Sequence, residues 1–204
     1  MDEIVQAALD KWPNVPHCYG WLALDARGVW RMRDERCQAL NLPGDKIRNA
    51  TLLGFINRNY QHDEQGRWYF QNGPQRVYVD LEATPHIARS SPDLGLLLHT
   101  GTAMSGISEV FLSRDGQLIL RAGQILALLD DRDLANCLEN LRFNGKPAND
   151  EELIAWLEPT PGVADAGSLS VILTSTETRE YPVRHGELSQ LMHDLGYVQI
   201  PKAD

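Results

Sequence analysis

Residues 67 to 79, RWYFQNGPQRVYV, hold the densest set of recognition-type side chains in this chain: two arginines, two tyrosines, a tryptophan and a phenylalanine around one tight turn. Alternation along a strand sorts them into two faces. Trp68 and Phe70 fall with Val77, Val79 and Leu81, while Arg67, Tyr69, Arg76, Tyr78 and Asp80 fall on the other side. With Asn72-Gly73 as the turn, Trp68 pairs with Val77, Phe70 with Gln75, Tyr69 with Arg76 and Arg67 with Tyr78. Pro74 has no N–H to close a two-residue turn there. A four-residue loop from Gln71 to Pro74 is the other arrangement, and it keeps the same pairing. Two readings follow. Cross-strand Arg–Tyr contacts brace a sheet, each by about 0.2–1 kcal/mol. The same groups also make a planar face of guanidinium forks and rings suited to an anionic or aromatic ligand. His86 and Arg89 in TPHIAR extend the positive face at its edge. The candidate ligand-binding set is therefore Arg67, Tyr69, Arg76, Tyr78, His86 and Arg89, and the expected ligand is a small anionic molecule or an acidic peptide.

Other chemistry-bearing patterns have plainer explanations. HTGTAMSGIS (99–108) has the small-residue turns of a backbone anion nest. No lysine follows its second glycine as in a P-loop, so it reads as a connection. The acidic DDRD at 130–133 precedes LANCLENL and fits a helix N-terminus better than a metal site. The six histidines show no HxH, HExxH or HxxxH spacing, and no serine lies in a GxSxG elbow. His17 beside Cys18 is two members of a metal set without the rest. Cys37 or Cys137 would need a histidine partner to act as a nucleophile, and Cys137 falls among helix core positions. No catalytic residue, metal ligand or cofactor is assigned.

Composition narrows the partners. In 204 residues, 28 acidic against 19 basic side chains leave a net charge of −9. A general binder of nucleic acid or anionic membrane needs clustered positive surface, so neither is expected. MDEIVQAALDKW is an acidic amphipathic start without the features of a signal peptide, and no run approaches the ~18 apolar residues of a membrane span. Three widely spaced cysteines, with no CxxC pair, argue against disulfide staples and zinc sites. The expectation is a cytoplasmic protein.

The elements that must position these groups are short. Hairpins are expected at 21–33, 67–82, 109–121 and 169–184, and a strand at 93–101. Helices are expected at the N-terminus and near 49–60, 130–141, 149–158 and 186–196, with Asn49 or Thr51 and then Asn149 as caps. Pro159 and Pro161 end the third of these internal helices, and PTPGVADAGS (159–168) is linker-like. A shift of 88 residues sets Leu22 on Val110, Leu24 on Leu112, Gly28 on Gly116, Trp30 on Leu118, Met32 on Leu120 and Arg33 on Arg121. A helix follows each hairpin, which is the pattern of a duplication or of a common α+β order met twice. Trp30, Phe55, Trp68, Phe70, Val77, Val79, Leu118, Leu120, Leu138 and Trp156 form the expected core.

The order LALDARGVWRMR, helix, then DEQGRWYFQNGPQRVYVDLEATPHIAR resembles uncharacterised proteobacterial families known only as domains of unknown function, over roughly residues 17 to 135. The resemblance implies an α+β fold of repeated β-rich units with ligand sensing or signalling, and it supplies no catalytic residues. A relative's Thr-Pro-Val-Glu-Lys-like strand is replaced here by Gly73-Pro74-Gln75-Arg76. The expected architecture is α+β, antiparallel hairpins with packed helices in two related β-rich units, 17–101 and 106–204, behind an N-terminal helix at 1–16. The expected function is a non-catalytic ligand-binding or signalling module. The alternative is an enzyme, a hydrolase or transferase acting on a small anionic substrate.

Overall fold

A computed structural model describes residues 2–12, 14–158, 167–175 and 177–203. The linker-like run and the prolines expected to end the 149–158 helix lie almost entirely outside these. Two compact units form, Met1–Pro85 with Met192–Asp204, and His86–Leu191. The expected boundary at 101–106 is therefore misplaced. The strand at His86 joins the second unit's sheet, and the last residues return to the first.

The first unit carries helices α1 (Glu3–Lys11), α2 (Glu35–Ala39) and α3 (Ala50–Arg58). Its strands are β1 (Cys18–Leu24), β2 (Trp30–Met32), β3 (Asp45–Lys46), β4 (Tyr60–His62), β5 (Trp68–Asn72) and β6 (Gln75–Leu81), in the order β3-β2-β1-β6-β5-β4. The second unit carries β7 (His86–Ser91), β8 (Gly95–Leu98), β9 (Glu109–Leu112), β10 (Leu118–Ala122), β11 (Ile125–Leu129), α4 (Asp131–Leu138), β12 (Leu141–Phe143), β13 (Lys146–Pro147), α5 (Asp150–Leu157), β14 (Leu169–Thr174) and β15 (Thr178–His185). Its sheet runs β13-β12-β14-β15-β9-β10-β11-β7-β8. Helix α6 (Leu188–Asp194) follows. The expected α+β architecture of hairpins and packed helices is what the chain adopts. Both sheets are mixed, because β1 runs parallel to β6 and β9 parallel to β15.

The six strands of the first sheet have counterparts in the second. β11-β10-β9-β15-β14-β12 repeats β3-β2-β1-β6-β5-β4, with the same parallel pairing at its centre. Register agrees as well. Leu24 pairs with Trp30 and Leu22 with Met32, while Leu112 pairs with Leu118 and Val110 with Leu120. Even the turns match. Asp25 N–H donates to the Val29 carbonyl and Gly28 N–H to that of Asp25, as Ser113 and Gly116 do to Gln117 and Ser113. Gly28 and Gly116 both sit at φ +74°, a conformation open to glycine.

One face of each sheet holds the core. In the first unit Phe70 meets Phe55 of α3 edge-on at 5.3 Å, and Trp30, Tyr60, Trp68 and Tyr197 form a chain of edge-on and tilted ring contacts. Asn49 caps α3 by accepting the Leu52 N–H, and Trp30 donates its indole N–H to Asn57 of that helix. In the second unit Val110, Leu112, Leu118, Leu120, Val171 and Val183 pack with Trp156 of α5, and Leu134 and Cys137 of α4 lie against them. The capping box expected from Asn149 and Glu152 starts α5. Helices α3 and α4 thus cover the corresponding face of their sheets. Leu138 is a correction. It ends α4 at 39% exposure, where the helix has already turned away from the core. Val77 and Phe55 are half-buried. No helix among the described residues is long and apolar enough to cross a membrane.

Candidate functional site

The β5–β6 hairpin turns at Gly73-Pro74. Asn72 pairs with Gln75, Gln71 with Arg76, Phe70 with Val77 and Tyr69 with Tyr78. The expected register, with Asn72-Gly73 as the turn, is off by one step at the tip. Gly73, at φ +57°, takes the first central position, which in hairpin turns matched to strand twist wants positive φ. Pro74 takes the second, where no N–H is needed. Face membership survives the shift. Arg67, Tyr69, Arg76 and Tyr78 share the side away from Phe70 and α3.

That side is not an open platform. Tyr69 is 5% exposed and Tyr78 fully buried. Tyr19 of β1 stacks flat on Tyr78 at 4.6 Å, and His17 meets its edge at 5.7 Å. Burial raises the pKa of both tyrosine hydroxyls. Alternation could assign the face, but not the strand that covers it. β1 does so because it pairs with β6, setting Cys18 opposite Val77 far along the chain, and just before β1 the Pro16 carbonyl accepts the Gln75 side-chain amide.

Arg67 is committed to structure. Its Nε donates to Asp63 Oδ2 at 2.8 Å and its Nη2 to the Tyr78 hydroxyl at 3.3 Å. The Tyr78 hydroxyl donates to the same Asp63 oxygen at 2.9 Å, and Asp63 Oδ1 accepts the backbone N–H of Gln65 and Arg67. Burial opposes the Asp63 charge, but the Arg67 backbone and guanidinium and the Tyr78 hydroxyl outweigh it and hold the carboxyl below its ordinary value. Asp63 was missed in the sequence, yet a signal was there. Asp63-x-x-Gly66 repeats the spacing of Asp25-x-x-Gly28, and Asp25 binds the Arg31 guanidinium at 2.8 Å while accepting N–H groups of its own turn.

Arg76 is different. Its guanidinium lies 4.7 Å over the Tyr69 ring and interacts with the Tyr78 hydroxyl, and among the described residues it has no carboxylate partner. A cleft of about 430 Å³ opens beside it, lined by His62, Asp63, Glu64, Gln65, Arg67, Tyr69 and Arg76. His17 reports the local field. Burial, then Arg76 and Arg67, hold its pKa below the usual histidine value despite the Asp63 charge.

The other two expected members stand elsewhere. His86 and Arg89 belong to β7, which pairs with β8 and β11 in the second unit's sheet, so they do not edge the first sheet. Their nearness in sequence to β6 was misleading, because the chain turns out of the first sheet at residues 82–85. His86 is buried, its ring centre 5.7 Å from that of His99, and Arg89 is exposed.

A family model named DUF2944, with the description "Protein of unknown function (DUF2946)", matches residues 1–202. This agrees with the resemblance read from residues 17 to 135. The crystal structure of a DUF1285 family protein from Silicibacter pomeroyi DSS-3 is similar at 13% identity, over 94% of this chain and 98% of that chain, with a TM-score of 0.47. A second DUF1285 family protein, from Shewanella baltica OS155, is similar at 15% identity, over 57% of this chain and 88% of that chain, with a TM-score of 0.39. No curated protein matches.

Proposed function

The chain belongs to this family of proteins of unknown function, DUF2944, and we propose that it is a non-catalytic ligand-binding or signalling module whose first unit takes a small anion with a flat part. The observation that carries the reading is the contrast between two neighbouring guanidiniums. Asp63 neutralises Arg67, whereas Arg76, lying on Tyr69 in the same cleft, has no carboxylate partner among the described residues, although Asp63 and Glu64 also line that cleft. A guanidinium backed by an aromatic ring presents its remaining donors in a plane, suited to a carboxylate or phosphate.

The binding step is linked to protons. An anion at Arg76 offsets the positive field that helps hold the His17 pKa below the ordinary histidine value, so that pKa rises on binding and affinity grows as pH falls through the histidine range. Cytoplasmic placement is part of the reading, supported by the free state of Cys18, Cys37 and Cys137. So is descent of both units from one duplicated unit, supported by the shared strand order, register and turn bonds.

Thermal-shift titration of the whole protein with phenyl phosphate, inorganic phosphate and a glutamate-rich peptide tests the site. Phenyl phosphate is expected to raise the wild-type midpoint most. Arg76→Ala is expected to abolish the rise, and Arg89→Ala to leave it intact. An Arg76→Ala protein that responds like wild type would overturn the site, and a preference for the peptide would replace the small anion as ligand.

A further inference from the structure

A second opening lies on the opposite side of the first sheet, the side of Phe70 and Val77. It holds about 280 Å³ between the sheet and α3, lined chiefly by Cys18, Trp21, Met32 and Phe70, with Leu52 and Ile56 from the helix. Protein interiors are packed with few voids larger than a water molecule, so an apolar gap of this size on a core face calls for a cause.

The second unit shows the same positions closed. Leu120, which corresponds to Met32, is 0% exposed, whereas Met32 is 51% exposed. Leu129 is buried where its counterpart Ile47 is half-buried. In the second unit the β7–β8 hairpin and the loop after it add Ala88, Leu96, Leu98, Met104 and Ile107 to the core. The first sheet stops instead at the two residues of β3, and among the described residues no further strand pairs beyond it. The gap is thus a property of the first unit, left where its counterpart is sealed.

Its lining decides what fits. An apolar cavity of about 150 Å³ stays dry and accepts benzene, and this one is nearly twice that volume. Trp21 and Phe70 supply ring surfaces, and Met32 and Cys18 supply polarisable sulfur, which packs favourably against aromatic edges. Besides the Cys18 thiol and the Trp21 indole N–H, polar groups in the lining come from exposed Asn72. We propose that this cleft binds a neutral two-ring aromatic molecule of naphthalene or indole size. The site does not depend on the Arg76 reading, because Phe70 and Val77 face away from Tyr69, Arg76 and Tyr78.

Titrating the full chain with 2-naphthol, read by naphthol fluorescence, tests the proposal. Saturable one-to-one binding is expected, weakened at least tenfold in Val77→Phe and in Leu52→Phe, each of which fills the cleft, and unchanged in Arg76→Ala. Bound naphthol should also slow maleimide labelling of Cys18 in the wild-type protein without slowing that of Cys37. That protection decides the matter if both filled variants fail to fold. Absence of saturable binding, equal binding in the filled variants, or unprotected Cys18 overturns the proposal.

Discussion

Arg31, Arg33, Tyr69, Tyr78 and Asp80 in the first unit correspond in register to Ile119, Arg121, Ser170, Pro182 and Arg184 in the second. The two sheets place the same positions side by side and fill them with different chemistry. In the first, Arg33 at the end of β2 reaches across β1 to pair with Asp80 of β6, their side chains 11% and 13% exposed. In the second, an arginine stands where Asp80 would be, and Glu109 takes both Arg121 at 3.1 Å and Arg184 at 2.9 Å nearer to solvent. Where the first face continues with stacked tyrosines, the second continues with buried Phe111 and Ile119. Strand order fixes which positions meet. It does not fix whether they meet as ions, rings or hydrocarbon, and the first unit builds a charged cleft on this face.

The sharpest way to break the comparison is to truncate corresponding core residues. Trp68→Ala is expected to cost about 3–5 kcal/mol and Leu120→Ala about 2–5 kcal/mol, by chemical denaturation. Met32→Ala, at the position matching Leu120, should cost under about 1 kcal/mol because half of Met32 is already in water. Equal costs at Met32 and Leu120 would mean that the first unit is sealed like the second.

The two turn acceptors come next. Asp63→Asn removes a charge that holds a guanidinium, a hydroxyl and two backbone N–H groups, and should destabilise by about 1–3 kcal/mol. Ser113→Ala removes only the acceptor for Gln117 N–H and should cost about 0.5–1.5 kcal/mol. Similar values would show that the ionic brace adds nothing to the turn.

Acid sensitivity should also divide the units. Burial, reinforced by His86, lowers the His99 pKa from 6.5 to about 3. The unfolded chain therefore takes up this proton first as pH falls. Stability is full above about 6.5 and declines below it until the folded state titrates near 3, by roughly 1.4 kcal/mol per pH unit. Opening free energies in the second unit, obtained from hydrogen exchange after correction for the intrinsic rate at each pH, should fall between pH 6.5 and 5 in wild type, and His99→Gln should flatten that response. The smallest effect belongs to Arg179 and Glu177, both more than half exposed, where Glu177→Gln should shift stability by about 0.5 kcal/mol or less.

Local signals carried most of the fold. Gly28 and Gly116 mark their hairpins, and Asn49 and Asn149 mark their helix starts, because turns and caps are settled within a few residues. The parallel contact between β1 and β6 left no such mark, since nothing near Cys18 names a partner at Val77. That one pairing brings Tyr19 onto Tyr78 and explains why this face is covered rather than displayed, while the Asp63 turn is what leaves Arg76 as the unneutralised guanidinium of the expected four. The β7 strand failed for the opposite reason. His86 and Arg89 sit a few residues beyond β6 in sequence, but the chain spends them on another sheet.

The return of the last residues to the first unit has a consequence in time. Val198 bridges to Arg67, Gln199 accepts the Leu81 N–H, and the Gly196 backbone lies so close to Gly66 that a side chain there would strike its carbonyl. A chain emerging from the ribosome completes 86–191 while the first unit still lacks Tyr197 against Trp68. The later segment can therefore finish folding before the earlier one. Until residues 197–199 have left the ribosome, Trp68 lacks the ring that covers it and the Leu81 N–H lacks its acceptor.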